Sequence, residues 1–195
     1  MEATQRVYSV LLVSSSEKFN TSLSALLQGS RFDPVRAVES IGSAQREILE
    51  RSYDIVLVNS PLPDEVGIEF AIDVCSGSSA AALMFLKSDM YGEIYPKVTR
   101  HGVLTLQKPT SSQMVSHALS WLCAVRERLR RLEKKTVSAQ EKLEEIRFVN
   151  RAKWLLIEEL KMTETDAHRY IEKQAMDQCI SKKKVAERII KTYGS

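Results

Sequence analysis

The chain has 195 residues, 44% of them apolar and 27% charged, the balance of a soluble globular protein with room for one large domain or two small ones. Net charge is +3, but residues 1–125 hold 10 Lys+Arg against 13 Asp+Glu, and residues 126–195 hold 18 against 12. The surplus cation therefore lies toward the C-terminal end, where it suits either a polyanionic partner or a well-solvated helical tail.

No run approaches eighteen apolar residues, and no signal segment opens the chain. Cys75, Cys123 and Cys179 are too scattered for a disulfide framework or a zinc motif. The expectation is a cytoplasmic protein with no membrane span, no metal and no cofactor.

Val7–Val13 is a nearly continuous apolar run, the pattern of a strand buried on both faces. It recurs at Asp54–Val58, Ala80–Leu86 and Gly102–Leu106, with a weaker version at Pro34–Val38. Helical spacing fills the gaps. Phe19, Leu23, Leu26 and Leu27 share one face; Ile41, Ala44, Ile48 and Leu49 another; Ile68, Ala71, Ile72 and Cys75 a third. Alternating strands and helices predict an α/β domain with a five-stranded parallel sheet of flavodoxin-like size.

With Lys108-Pro109 after the last strand, residues 6–121 resemble the receiver domain of two-component response regulators. The resemblance places the phosphoacceptor at the end of the third strand, where this chain has Asn59, and the Mg²⁺-binding acidic pair near Ser14-Ser15. The phosphoryl-sensing hydroxyl falls at Lys87 and the switch aromatic at Thr105; only Lys108 is retained. An amide forms no acyl phosphate, and hydroxyls are poor ligands for a hard cation. The expectation is a pseudo-receiver, either regulated by a protein partner or small molecule or kept as a scaffold. Lys87 and Lys108 would repel in a pocket stripped of carboxylates, so one should turn to solvent or find Glu17.

No proline or glycine occurs from Thr110 to Met162. Ser111 or Ser112 can cap a long helix. Leu122, Val125, Leu129, Leu132, Thr136, Ala139, Leu143, Ile146, Asn150 and Lys153 then alternate steps of three and four. Such a heptad seam predicts a parallel two-stranded coiled coil, with Asn150 favouring one register. Its span of about 45 Å, at 1.5 Å per residue, exceeds one face of a small domain, which favours homodimerisation over self-packing.

Past Lys161-Met162, Thr163 is a predicted N-cap with Asp166 as its partner, and Ser181 caps a last helix carrying Val185, Ala186, Ile189 and Ile190. With the end of the long helix these make a small three-helix bundle. Ala152-Lys153-Trp154-Leu155-Leu156, Met162-Thr163-Glu164, Ala167-His168-Arg169-Tyr170-Ile171-Glu172-Lys173-Gln174-Ala175-Met176 and Val185-Ala186-Glu187 closely resemble the ANTAR family of RNA-binding modules. Trp154 and His168 depart from its common Gly and Phe.

The resemblance implies three regions: 1–121, a receiver-like domain lacking its phosphoacceptor; 122–150, a coiled-coil linker; and 145–195, the RNA-binding module. It implies a dimeric antiterminator that grips paired stem-loops in leader transcripts, with a sensor or inhibitor protein as a further partner. No residue is expected to be catalytic. Lys153, His168, Arg169, Tyr170, Lys173, Gln174, Lys182, Lys183, Lys184 and Arg188 are the expected RNA-binding residues. Lysines at the start of a helix oppose its dipole, and a nearby phosphate reverses that cost. Tyr170 and His168 can stack on loop bases, although the spacing of Tyr170 equally suits a core residue. Two alternatives remain: a DNA-binding helix-turn-helix formed by helices 163–179 and 182–193, and a protein-interaction adaptor with a coiled-coil stalk.

Overall fold

The computed structural model describes residues 6–29 and 31–194. They form two compact units, divided between Arg131 and Leu132. In the first, β1 (Tyr8–Val13), α1 (Glu17–Leu27), β2 (Phe32–Val38), α2 (Ile41–Glu50), β3 (Ile55–Asn59), α3 (Ile68–Gly77), β4 (Ala81–Lys87), α4 (Ser88–Thr99) and β5 (Leu104–Lys108) lead into α5 (Ser112–Leu160). The sheet is parallel throughout, in the order β2-β1-β3-β4-β5.

Side-chain alternation divides each central strand between two layers. Leu11, Val13, Val56, Val58, Met84 and Leu86 pack with Ile41, Ala44, Phe70 and Val74. Val10, Leu12, Ile55, Leu57, Leu83 and Phe85 pack on the other side with Leu23, Leu27, Leu119 and Leu122. Burial of both faces explains the near-continuous apolar runs of β1, β3 and β4. The edge strand β2 is largely exposed. Its Pro34 lacks an N–H, which blunts the edge against further pairing.

Ser16, Ser40 and Ser111 cap α1, α2 and α5 by accepting from Phe19, Ser43 and Met114 amides. Gly67, at φ 81, opens α3, and a Cβ there would lie 2.9 Å from Ile41 Cδ1. The left-handed backbone and the lack of space both require glycine.

The first part of α5 is clamped to the sheet. Buried Asp54, beside the entry to β3, accepts from Arg126 Nε at 2.8 Å and Arg130 Nη2 at 2.7 Å. Ser9 N donates to the same carboxylate at 3.2 Å. Tyr8 Oη donates to Glu127 at 3.3 Å, and Arg6 pairs with Glu127. Several donors on one carboxylate offset the desolvation that a buried charge demands.

This packing corrects the expected start of the dimer seam. Leu122 is fully buried with Val115, Ala118, Leu119 and Cys123 against the chain's own sheet. A three-four spacing marks an apolar stripe, and here the stripe first faces the domain that precedes it. Leu129 is half-buried and Val125 is 38% exposed. From Arg131 to Glu144 every residue is exposed, Leu132 and Leu143 included.

The second unit continues along α5 and adds α6 (Glu164–Asp177) and α7 (Lys182–Tyr193). Its core holds Val149, Ala152, Leu156, Ala167, Ile171, Ala175, Val185, Ala186 and Ile189. Ala152, Ala167 and Ala186 are fully buried, so small side chains allow the helices to approach closely. Lys161 (φ 57) and Cys179 (φ 51) take left-handed conformations beyond the ends of α5 and α6. They do without glycine what a C-terminal glycine usually does. Among the described residues no helix is long and apolar enough to cross a membrane.

Candidate nucleic-acid interface and remnant receiver pocket

At the C-terminal end of β3, Asn59 is almost fully buried and Ser14 and Ser60 fully so. Asn59 Nδ2 donates to Ser14 Oγ at 3.0 Å. Lys108 Nζ, on β5, donates to Asn59 Oδ1 at 2.5 Å and to the Ser60 carbonyl at 2.7 Å. The amide thus accepts from the cation and donates to the hydroxyl. Burial lowers the Lys108 pKa, with the nearby Lys87 charge a second cause. Lys87 itself is exposed, as is Ser15. One lysine has entered the pocket and the other has turned outward, and the inward one meets Asn59 rather than Glu17. Of the expected pocket residues, Ser14, Asn59 and Lys108 come together, whereas Ser15 and Lys87 do not join them. Thr105 Oγ1 lies 3.3 Å from Tyr91 Oη. Among the described residues no cluster of His, Cys, Asp and Glu could hold a metal ion.

In the helical unit, Thr163 caps α6, and Ser181 caps α7 by accepting from Lys184 N. These caps fix where the cationic side chains emerge. Lys153 pairs with Glu164 at 3.0 Å, Lys182 with Glu172 at 2.5 Å and Lys183 with Glu144 at 2.7 Å. His168 Nε2 approaches the same Glu172 carboxylate at 3.3 Å. Lys183 also lies 5.2 Å from the Phe148 ring centre. Lys182 and Lys183 hold the carboxyls of Glu172 and Glu144 below their usual range, and Glu144 raises the Lys183 ammonium. Among the described residues, Arg169, Lys173 and Lys184 are exposed with no carboxylate partner.

The expected RNA-binding residues do not form one patch. Lys153, His168 and Lys182 line a concavity of about 320 Å³ together with Lys142 and Ile146. Tyr170, Gln174 and Arg188 line another of about 220 Å³, with Gln178, Thr192 and Tyr193. His168 and Tyr170 are two positions apart, about 200° around a helix of 3.6 residues per turn, so they leave α6 on different sides.

In the second concavity Gln178 Nε2 donates to Gln174 Oε1 at 2.6 Å, and Arg188 donates to Gln178 Oε1. Tyr170 is 40% exposed. Its spacing suits the core, but Ile171 and Ala167 fill that place and leave the ring at the surface. Sequence reasoning missed Lys142, Gln178, Thr192 and Tyr193. Lys142 was findable: it precedes Lys153 by eleven residues, close to three full helical turns.

Comparison with known proteins agrees with both units. Residues 138–190 match the ANTAR domain family. The chain is 29% identical over 143 residues to the transcriptional regulatory protein PdtaR of Mycobacterium tuberculosis strains CDC 1551 / Oshkosh and ATCC 25618 / H37Rv, spanning 73% of this chain and 69% of the relative. Among solved structures, the signal receiver domain of an HD domain-containing protein from Pseudomonas fluorescens Pf-5 superposes with a TM-score of 0.58 at 21% identity, covering 67% of this chain and 96% of that one. A putative response regulator from Chloroflexus aurantiacus J-10-fl gives 0.54 at 19% identity, covering 61% and 99%. In this chain a receiver fold leads into the residues that match the ANTAR domain, an arrangement similar to that of an ANTAR response regulator.

Proposed function

We propose that the protein is a transcription antiterminator that binds hairpin loops in leader RNA as a dimer, with a receiver-fold domain that takes no phosphoryl group. At the coarser level it is a transcription regulator of the antiterminator family. The observation that carries the finer reading is the coincidence of the ANTAR match, residues 138–190, with the helical unit that holds the surplus cation.

The work is done by preferential binding. Moving a leader RNA from 1:99 to 99:1 in favour of the antiterminated fold takes about 5.5 kcal/mol. Two linked modules reach that more easily than one, because the second contact forms at high effective concentration. Lys184, Lys173 and Arg169 are the cations ready to meet phosphate. Lys153, Lys182 and Lys183 first exchange a carboxylate for it, which keeps non-specific binding low. Tyr170 offers a ring face to an unpaired base.

In the receiver-fold domain, Asn59 is a neutral amide engaged by Ser14 and Lys108. It provides no carboxylate to form an acyl phosphate, so input reaches this cytoplasmic regulator through a bound partner or ligand.

Gel-shift titration against a two-hairpin leader RNA tests the reading. Lys173→Ala with Lys184→Ala should weaken binding about tenfold or more and reduce the salt slope by about 0.7–0.9 per lost phosphate contact. Unchanged affinity, or equal affinity for duplex DNA of matched length, would reject RNA recognition. The adaptor reading predicts the first of those results and the helix-turn-helix reading the second.

A further inference from the structure

We propose that the groove between α1 and the start of α5 binds a small amphiphile with an apolar body and one anionic head, such as a carboxylate. The groove encloses about 690 Å³ within the first unit, a volume typical of small-molecule sites. Its walls are apolar: Phe19, Leu23 and Leu26 from α1 and Val115 from α5. Leu23 is buried and Phe19 and Leu26 half-buried. These surfaces are recessed, unlike the protruding Leu132 and Leu143 of the exposed helix. A recess suits a compact ligand better than another protein's flat face.

The charge at the rim selects the head group. Lys18 and Lys108 both line the groove, and no Asp or Glu is among the described residues that do. Lys108 Nζ spends two of its three donors on Asn59 and Ser60. The third remains for a ligand oxygen. Ser112, the first residue of α5, lines the same groove and brings the positive end of that helix to it. A cationic or neutral amphiphile would fill the walls but gain nothing at the rim.

A head group on the third donor of Lys108 shares that ammonium with Asn59 and Ser60. Occupancy is thereby felt at the end of β3, the place where receivers sense a phosphoryl group. The site stands independently of RNA recognition, because every residue in it belongs to the first unit.

The test is a titration of the full-length protein with 1-anilinonaphthalene-8-sulfonate, followed by displacement with decanoate, decanol or decylamine. The expected result is saturable binding at one site, displaced by decanoate and poorly by decylamine. Ser22→Trp, placed on the exposed face of α1 to fill the groove, should weaken it about tenfold, as should Lys18→Glu. Thermal unfolding of both variants, followed by circular dichroism, establishes that they fold. Should Ser22→Trp prove unfolded, Lys18→Glu alone decides. Dye affinity unchanged in the folded variants, or equal displacement by decanoate and decylamine, would overturn the proposal. So would binding that appears only on dilution, since a second copy of the chain would then be the natural occupant. RNA affinity measured on the same preparations separates this outcome from failure of the antiterminator reading.

Discussion

The two halves of α5's path obey opposite rules, although the same heptad spacing runs through both. From Val115 to Arg130 the helix is held by its own domain: Leu119 and Leu122 are buried in the sheet's core, and Arg126 and Arg130 converge on Asp54. From Arg131 to Glu144 every residue is exposed, Leu132, Val137 and Leu143 included. A helix without cover on any side is either solvated and marginal or paired with another chain. The first stretch is explained by intramolecular contacts, whereas in the second Leu132 and Leu143 form an apolar stripe left exposed among the described residues. That contrast is the physical argument for a homodimer.

The largest effect is expected from breaking the clamp. Asp54→Ala would leave the paired guanidinium groups of Arg126 and Arg130 without their shared carboxylate. Removing one partner of a buried ion pair costs about 3–5 kcal/mol. Here the arginines can partly regain water, so about 3 kcal/mol is expected, read from urea unfolding. Hydrogen exchange should rise between Val115 and Arg130 and stay unchanged in α6 and α7. Uniform loosening of both units would contradict the division of the helix into an anchored and a free stretch.

Next comes the free stretch itself. Leu132→Glu with Leu143→Glu places like charges in the proposed seam. Sedimentation should shift from dimer to monomer, and affinity for a two-hairpin RNA should fall roughly a hundredfold as avidity is lost. Affinity for a single hairpin should hardly change. A wild-type protein that sediments as a monomer would refute dimerisation without touching the clamp.

Much of this architecture was legible before the structure. Four apolar runs and a weaker fifth mark the strands, because strands buried on both faces cannot hide their composition. The caps at Thr163 and Ser181 were legible because a hydroxyl followed three residues later by a backbone amide is a local device. Helix α4 was not, since Gly92 and Pro96 interrupt its period.

The Leu122 seam was misread for a different reason. An apolar spacing of three and four records that a face is covered, not by what. Likewise, the pairing of Asp54 with Arg126 and Arg130 joins residues 72 and 76 positions apart, and no local pattern carries it. The carboxylates that meet Lys153, Lys182 and Lys183 were equally invisible, since each pair links one helix to another.

The smallest effect probes where the free stretch meets the helical unit. Glu144 is the last fully exposed residue of the run and holds Lys183 at 2.7 Å. Its carboxyl pKa lies below the usual value because Lys183 bonds to the charged form. A depressed acid keeps its pair intact above its unfolded pKa of about 4.3 and loses it as pH falls through the folded value. Titration near neutral pH therefore does not release Lys183, whereas RNA, a substitution or acid does. Glu144→Gln frees the lysine with little change of shape. RNA affinity should rise about twofold to threefold, and the salt slope should steepen by up to about 0.9 as one more phosphate is neutralised. Lowering the pH of the wild-type protein below that of the free carboxylate should move affinity the same way, and the variant should lack that acid response. If Glu144→Gln weakens binding instead, the carboxylate aims Lys183 at its phosphate rather than restraining it, and the boundary between stalk and module is itself part of the RNA-binding surface.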